Sequence, residues 1–421
     1  MKLRVLTFLF FLLLGIISGI RAEKLTLQKG STRWTGFRGN QGSSHTFATN
    51  LPLTWSETEN VAWTTELPGY GQSSPVVWDG KIFVTASEGQ MKETLVVLCI
   101  EVTTGEILWT KRFEASNTRE RTDMISQAAP TPTVDAQYLY AFFESGDLFA
   151  LSHQGEKQWH RSITKEYGTF IGNHGISSSI AQTDDAVILL IDHDGPSYLL
   201  SINKTDGMNL WKRDREKRVS WTSPVVSRYG NVTEILLSSN GIVEAYNAEN
   251  GEQHWYVEGV QKNTVPSPTV TDEWVVVGSS QKGETLAIKR GGTGDVTESH
   301  IRWKGDVASS FGSPLIHRNS VYIVNKAGAL SCLNLETGSV LWTTRIGSST
   351  WASPIAAGDS LYFFGRDGDT TVMRIPLQQI ETPPIVSVNS LATKSRVYGV
   401  AAINGAFLIR TSNNLICVGD P

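Results

Sequence analysis

From about residue 61 onward the chain alternates short apolar runs with short polar breaks, and the runs are rich in Val, Ile, Leu, Phe and Tyr. Runs of this length, bounded by Gly or Asp-Gly, predict β-strands joined by hairpins. Nowhere does the apolar pattern hold a 3.6-residue spacing over two turns of an amphipathic helix, which excludes a helical solenoid. One eleven-residue frame keeps returning: "CIEVTTGEILW" ends at Trp109, "SINKTDGMNLW" at Trp211, "AYNAENGEQHW" at Trp255 and "CLNLETGSVLW" at Trp342. Each frame closes a unit that begins with a Ser-Pro-like signature, as in "SSPVVWDGKIFVTAS" from Ser73 and "ASPIAAGDSLYFFG" from Ala352.

The signature falls at Pro75, Pro132, Ser179, Pro224, Pro268, Pro314, Pro354 and, in degenerate form, Gly399, with spacings of 57, 47, 45, 44, 46, 40 and 45 residues. Four short strands fit that period, so the expected fold is all-β, an eight-bladed β-propeller. The last unit, "GAFLIRTSNNLICVG", ends without a fourth strand, while "ENVAWTTEL" near the N-terminus is a fourth strand without a blade. The two are expected to pair, closing the ring without an open seam. This places a signal peptide at 1–22, an N-terminal extension at 23–60 and the propeller at 61–421.

Trp63, Trp109, Trp159, Trp211, Trp255, Trp303 and Trp342 then fall on outer strands. There each indole is expected to cover the apolar face between neighbouring blades and to donate its N–H to a backbone carbonyl. The Gly four residues before each frame's Trp is expected to turn the hairpin with positive φ. These tryptophans read as architecture, not as ligand contacts.

The first residues pair a basic start, MKLR, with an apolar run from Val5 to Ile20 and a small residue at Ala22. That is the pattern of a secretory signal cleaved after Ala22, and the run is shorter than the roughly 20 residues a spanning helix needs. The protein is therefore expected to be periplasmic or secreted, without a stable transmembrane segment after cleavage. With 37 basic and 41 acidic residues and no basic cluster, nothing marks a nucleic-acid partner. Cys99, Cys332 and Cys417 share one column of the repeat, filled elsewhere by Ala150, Ser201, Ala245 and Ala287, so they are expected to be buried thiols packed in strands.

The frame Ala-x-Asp-x-x-Thr-Gly-x-x-x-Trp, matched by Cys99, Glu101, Thr104, Gly105 and Trp109, resembles the tryptophan-docking motif of the pyrroloquinoline quinone (PQQ) repeat propellers. That superfamily holds quinoprotein alcohol dehydrogenases and BamB-like assembly proteins. The stretches "WTGFRGNQGSS" from Trp34, "LPLTWSETENVAWTTELPG" from Leu51, "ASNTRERT" from Ala115, "PSYLLSINKTDG" from Pro196 and "LAIKRGGTGDVTESHIRW" from Leu286 also resemble secreted PQQ-like repeat proteins of planctomycete type. The resemblance implies the fold and leaves the activity open. The dehydrogenases of the superfamily hold the quinone against a disulfide between adjacent cysteines and bind calcium through carboxylates on insertions. No two cysteines are adjacent here, and no Cys-x-x-Cys-His is present to attach a haem. The BamB-like proteins are anchored through an N-terminal cysteine that this chain lacks.

Binding in a propeller is expected at the face where the loops enter the inner strands. The residue three before each signature reads Gln72, Ala129, Ile176, Trp221, Val265, Phe311, Trp351 and Arg396. Trp221, Phe311 and Trp351 are the candidate walls of an aromatic funnel, suited to a sugar face, a planar cofactor or a peptide; the alternative is that they plug the channel as core. The hairpins on the same face add Asp192, His193 and Asp194, Arg366, Asp367 and Asp369, and Glu144 with Asp147, which read either as divalent-ion ligands or as solvated turns. His174 enters beside Asp192. The insertion Lys111–Gln127 carries Arg119, Glu120 and Arg121, a candidate carboxylate-binding loop or a self-paired surface segment.

The resulting reading is a non-catalytic binding or scaffolding propeller of the cell envelope, expected as a monomer, that presents its funnel to a carbohydrate, peptide or protein partner. No metal and no cofactor are expected. The alternative is a PQQ- and calcium-dependent alcohol or sugar dehydrogenase, and a polysaccharide hydrolase lacks a nameable pair of carboxylates.

Overall fold

The computed structural model describes residues 32–120, 128–261, 265–309, 311–376, 384–393 and 395–421. They form eight antiparallel sheets of four strands, two of them extended by a short fifth strand. Blade 1 runs outward from Val76–Trp78 through Lys81–Glu88 and Thr94–Glu101 to Ile107–Glu114. The inner and outer strands of the next six blades are Thr133–Val134 and Lys157–Ser162, Ala181–Gln182 and Asn209–Arg215, Val225–Tyr229 and Gln253–Glu258, Thr269–Val270 and Ile301–Gly305, Leu315–His317 and Val340–Arg345, and Ile355–Ala357 and Ile385–Ser390. Blade 8 takes three strands from the C-terminus, Gly399–Ile403, Ala406–Arg410 and Asn414–Gly419, and its outer strand, Val61–Glu66, from the N-terminal end. Trp63 pairs with Cys417 and Glu66 with Asn414, so the ring closes as the two orphan segments required.

The two middle strands of each blade are apolar on both faces because a blade is sandwiched between two others. Phe83, Val97 and Cys99 of blade 1 pack on Leu139, Phe149 and Leu151 of blade 2, and equivalent clusters fill the other junctions. Cys99, Cys332 and Cys417 are free and buried, and burial pushes the Cys99 and Cys417 thiols up to about 12.

The outer tryptophans lock neighbouring blades. Indole N–H groups of Trp63, Trp109, Trp159, Trp211 and Trp303 donate to the carbonyls of Val102, His153, Lys204, Ala248 and Leu335 at 2.8–3.1 Å. Each acceptor lies on the following blade, and the ring lies flat on that blade's turn glycine. A Cβ on Gly105 would sit 2.6 Å from Trp63, and one on Gly251 2.6 Å from Trp211, so glycine is needed for close approach as well as for its positive φ. Trp255 departs from this pattern. Its N–H meets Glu234 of its own blade at 3.3 Å, because Arg290 of blade 5 occupies the junction and pairs with Glu234 at 2.8 Å.

The Ser-Pro signature has its own function in the packing. Ser74 N–H donates to Thr131 Oγ1, Thr131 N–H to Ser179 Oγ, Ser179 N–H to Ser223 Oγ, Ser223 N–H to Ser267 Oγ, Ser267 N–H to Ser313 Oγ and Ser313 N–H to Ser353 Oγ, all within 2.8–3.3 Å. These hydroxyls satisfy backbone donors that the inner edge of a blade would otherwise leave unpaired around the channel. In this register the proline position of blade 3 is Ile180, one residue after the Ser179 start expected from spacing. Blade 8 has Tyr398 where the others have Ser or Thr, and its hydroxyl bonds Tyr70 instead of continuing the chain of hydrogen bonds.

The extension lies across the channel at the end where the inner strands finish, the lower mouth. Trp34 exchanges backbone bonds with Val77, Thr35 O accepts from Val134, His45–Thr46 adds a parallel strand to Ala356–Ala357, and Thr49 O accepts from Gly405. Arg38 reaches the inner strands of blades 5 and 6: Nη1 donates to Pro268 O at 2.7 Å, Nη2 to Thr269 Oγ1 at 2.5 Å and Nε to Ser44 Oγ at 3.0 Å. One strap thus ties inner strands from both halves of the ring.

Candidate functional site at the upper mouth

The inner strands begin at the upper mouth, where the loops from the preceding outer strands arrive. Trp351, half-buried on the loop into blade 7, is the centre of an aromatic series. Phe311 packs 4.4 Å from it, Tyr398 meets its edge at 5.5 Å, and the Arg396 guanidinium stands 4.9 Å from its ring centre. Tyr398 in turn shares a 2.6 Å hydroxyl–hydroxyl bond with Tyr70, on the loop into blade 1. Burial and that bond raise the Tyr70 pKa, so the Tyr70 hydroxyl stays protonated at neutral pH. Four rings and one cation therefore span the entrances of blades 6, 7, 8 and 1.

The aromatic candidates separate into two groups. Phe311 and Trp351 belong to the series, whereas Trp221, at the entrance of blade 4, packs edge-on against His174 at 5.6 Å and donates its N–H to Gly175 O at 3.2 Å. Tyr70 and Tyr398 were not among the sequence candidates. Tyr398 was visible as the one signature position without Ser or Thr; nothing singled out Tyr70 in "LPGYGQSS".

Asp192 is buried and committed. It pairs with Arg215 and accepts from Ser220 Oγ at 2.7 Å and from Ser239 Oγ. Arg215 also pairs with Glu244, which accepts from Tyr246 Oη at 2.7 Å and Gln253 Nε2 at 2.8 Å. Burial alone would lower the Arg215 pKa, but the two carboxylates outweigh it and raise it. This network joins blades 3 and 4 and engages both oxygens of the Asp192 carboxylate. Asp194 is half-exposed, 4.0 Å from Lys217. His193 Nδ1 accepts from the Ile171 and Gly195 N–H groups at 3.1 and 2.9 Å, and burial lowers its pKa.

The remaining turn carboxylates also clamp loops. Asp147 accepts from Ser116 N–H and Oγ, Ser145 Oγ and His160 Nε2 at 2.7–2.8 Å, and Asp369 from Ser348 N–H at 3.0 Å and its Oγ at 2.5 Å. Glu144 binds Lys92 Nζ at 2.8 Å and Ala128 N–H at 3.0 Å. Arg366 is exposed beside Asp367 at 3.2 Å, and its backbone joins the loops of Ser349 and Val397. On the insertion, Arg119 N–H donates to Met91 O and Glu120 is exposed, while Arg121 lies outside the described residues.

No group of three His, Cys, Asp or Glu side chains is placed to hold a metal ion among the described residues. The three thiols sit in separate blades, so the paired-cysteine platform implied for a quinone has no counterpart; Asp147, Asp192, Asp369 and Glu144 are engaged by backbone N–H, serine, histidine, arginine and lysine partners, and Asp194 and Asp367 are exposed beside Lys217 and Arg366. Among the described residues this set does not fit PQQ with calcium. Among the described residues no helix is long and apolar enough to cross a membrane.

Comparison with known proteins matches this architecture. A profile of the family described as outer membrane protein assembly factor BamB matches residues 49–173 and 171–379, well over half of the chain. The assembly factor BamB of Moranella endobia is 24% identical over 229 residues, 52% of either chain. The chain thus spans about half the length of the curated relatives it matches. Among solved structures, BamB from Moraxella catarrhalis superposes with a TM-score of 0.63 at 14% identity, covering 85% of this chain and 98% of that one. Quinohemoprotein alcohol dehydrogenase from Comamonas testosteroni superposes with a TM-score of 0.66 at 10% identity, over 92% and 80%. At such identities the superpositions speak for the fold alone. By fold, repeat and profile together, this chain is a PQQ-like β-propeller that belongs to the BamB family.

Proposed function

We propose that this protein is an exported, non-catalytic scaffold of the cell envelope that holds a protein partner at its upper mouth, on the Phe311–Trp351–Tyr398–Tyr70 series and Arg396. The observation that supports this reading is the concentration of four partly exposed rings at one sector of a rigid rim. Tyrosine, tryptophan and arginine are the side chains that dominate the energy of protein interfaces, because each buries a large flat area at small entropic cost. The lower mouth is strapped by the chain's own extension, which favours the upper one. Family membership adds that the relatives bearing this profile are named as assembly factors of the outer membrane.

A photo-crosslinking residue in place of Arg396 tests the reading in cells. It should capture an envelope protein that the same residue at exposed Thr104, on a lower hairpin, does not. Capture from Thr104 alone, or equal capture from both, would reject the upper mouth as the docking face.

A further inference from the structure

One position of the second strand is apolar in seven blades: Val84, Ala141, Leu189, Leu237, Val277, Ile323 and Phe363 are all buried there. Blade 8 places Arg410 at that position, and its side chain is fully buried. No carboxylate reaches it among the described residues. Its Nε meets Gly71 O at 3.4 Å, its Nη2 meets Thr85 O and Ser412 O at 3.3 Å, and its Nη1 has no partner among the described residues. The contrast with Arg38 is sharp, since that equally buried guanidinium uses all three nitrogens, with bonds as short as 2.5–3.0 Å. Burying a guanidinium without a counter-charge is costly, and a hydrophobic residue would pack the site as it does in every other blade.

The place is also distinctive. Arg410 sits where the hydroxyl ring is interrupted: Tyr398 N–H donates to Arg410 O at 2.9 Å, and Tyr70 immediately precedes the Gly71 carbonyl that Arg410 contacts. The hydroxyl-bonded tyrosine pair is therefore adjacent to the arginine, Tyr398 through its backbone and Tyr70 close enough to interact electrostatically with the guanidinium. Burial holds the guanidinium pKa down at about 9, which still leaves it cationic at neutral pH.

We propose that Arg410 is the base of a carboxylate-binding site at the junction of blades 8 and 1, entered from the upper mouth by parting the Tyr70–Tyr398 pair. A carboxylate offers the planar, charge-assisted acceptor that a guanidinium with an unused nitrogen lacks. The ligand class is a peptide carboxylate, either a free C-terminus or an acidic side chain. This rests on the upper mouth being the binding face and adds the chemistry it selects.

The test is thermal stability of the full mature chain titrated with sodium acetate, with sodium chloride at equal ionic strength, and with the tripeptide Ala-Ala-Phe as free acid and as amide. Ala-Asp-Phe amide distinguishes a side-chain carboxylate from a terminal one. A ligand of the native state raises the melting temperature. Acetate and at least one carboxylate peptide should raise it, with about tenfold tighter binding than Ala-Ala-Phe amide, and Arg410→Leu should abolish the response. Leu is the residue blades 3 and 4 already carry at this position; should that variant not fold, Arg410→Lys must retain a weakened response. An equal shift with chloride, with the amide or in Arg410→Leu, or no shift with any carboxylate, overturns the site. Should the site fail while the Arg396 crosslink persists, the scaffold reading stands without it.

Discussion

The two mouths of the channel are built from the same materials and end differently. Each contributes a buried arginine with no carboxylate beside it among the described residues: Arg38 reaches from the lower strap to the first inner-strand residues of blades 5 and 6, and Arg410 comes from the blade 8 strand that ends at the upper mouth. Every nitrogen of the Arg38 guanidinium has an acceptor, Ser44 Oγ from the strap itself, Pro268 O and Thr269 Oγ1 from blade 5 and Pro314 O from blade 6, so the cation is an anchor that pins blades 5 and 6 to the N-terminal segment. Above, one nitrogen is unused and the nearest rings are half-buried. Arg215 and Arg290 also leave one buried nitrogen without a partner among the described residues, but each has a carboxylate; what distinguishes Arg410 is that it lacks both a counter-charge and a full set of acceptors.

The largest effect that comparison demands is at Arg38. Replacing it by Met leaves the Pro268 carbonyl and the Ser44 and Thr269 hydroxyls without their donor, so Arg38→Met should lower the unfolding free energy by about 3 kcal/mol. Arg410→Leu should change it by less than about 1 kcal/mol in either direction, because it removes an unsatisfied charge and restores the column's usual side chain. Urea unfolding of the two variants side by side measures both. Equal losses would erase the distinction between the two arginines.

A second, smaller effect comes from acid. His317, at the end of the blade 6 inner strand, is lowered to about 4 by burial, with His45 and Arg318 adding to the effect and Asp359 opposing it. His45, 5.7 Å away in the strap, is also lowered, by burial first, and its Nε2 donates to Ile316 O at 2.7 Å. The unfolded chain takes up the His317 proton near pH 6.5 and the folded one only near 4. The stabilising contribution is therefore complete above pH 6.5 and is lost as pH falls towards 4, by an order of 2 kcal/mol for His317. Hydrogen exchange in residues 34–49 should accelerate in that window before exchange at 396–400 does, and His317→Leu should flatten the slope. A loss that begins at the upper mouth would contradict it.

Much of this could be read from the chain. The spacing of the signature, the recurring Trp and the orphan "ENVAWTTEL" specify a closed ring of eight because each records a local need: a turn, a covered face, a missing partner. The site was less legible, because what decides it is long-range. Asp192 resembles an open turn carboxylate until Arg215, 23 positions on, is seen to fill it. Arg38 and the Pro268 carbonyl are 230 positions apart, and no periodicity connects them. Trp221 and Trp351 share a column but face different neighbours. Tyr398 was recoverable, since a residue that breaks a repeat at its hydrogen-bonding position asks for a reason. Arg410 broke the apolar column just as plainly, once strand register was known.

The smallest effect on stability should accompany the largest effect on binding. Trp351 is half-buried and its indole packs on the rim residues Phe311, Tyr398 and Arg396, outside the apolar clusters that fill the blade junctions, so Trp351→Ala should cost less than about 1 kcal/mol in unfolding. Truncating a central aromatic of an interface costs about 2 kcal/mol or more, a loss of roughly thirtyfold in affinity. The Arg396 crosslink should therefore fade in Trp351→Ala while the melting curve scarcely moves. Trp221→Ala supplies the contrast within the rim, because its ring is engaged with His174 and Gly175 in another sector. Should Trp221→Ala remove the crosslink and Trp351→Ala leave it, the docking face would move to blades 3 and 4, and the aromatic series would become packing that seals the last junction of the ring.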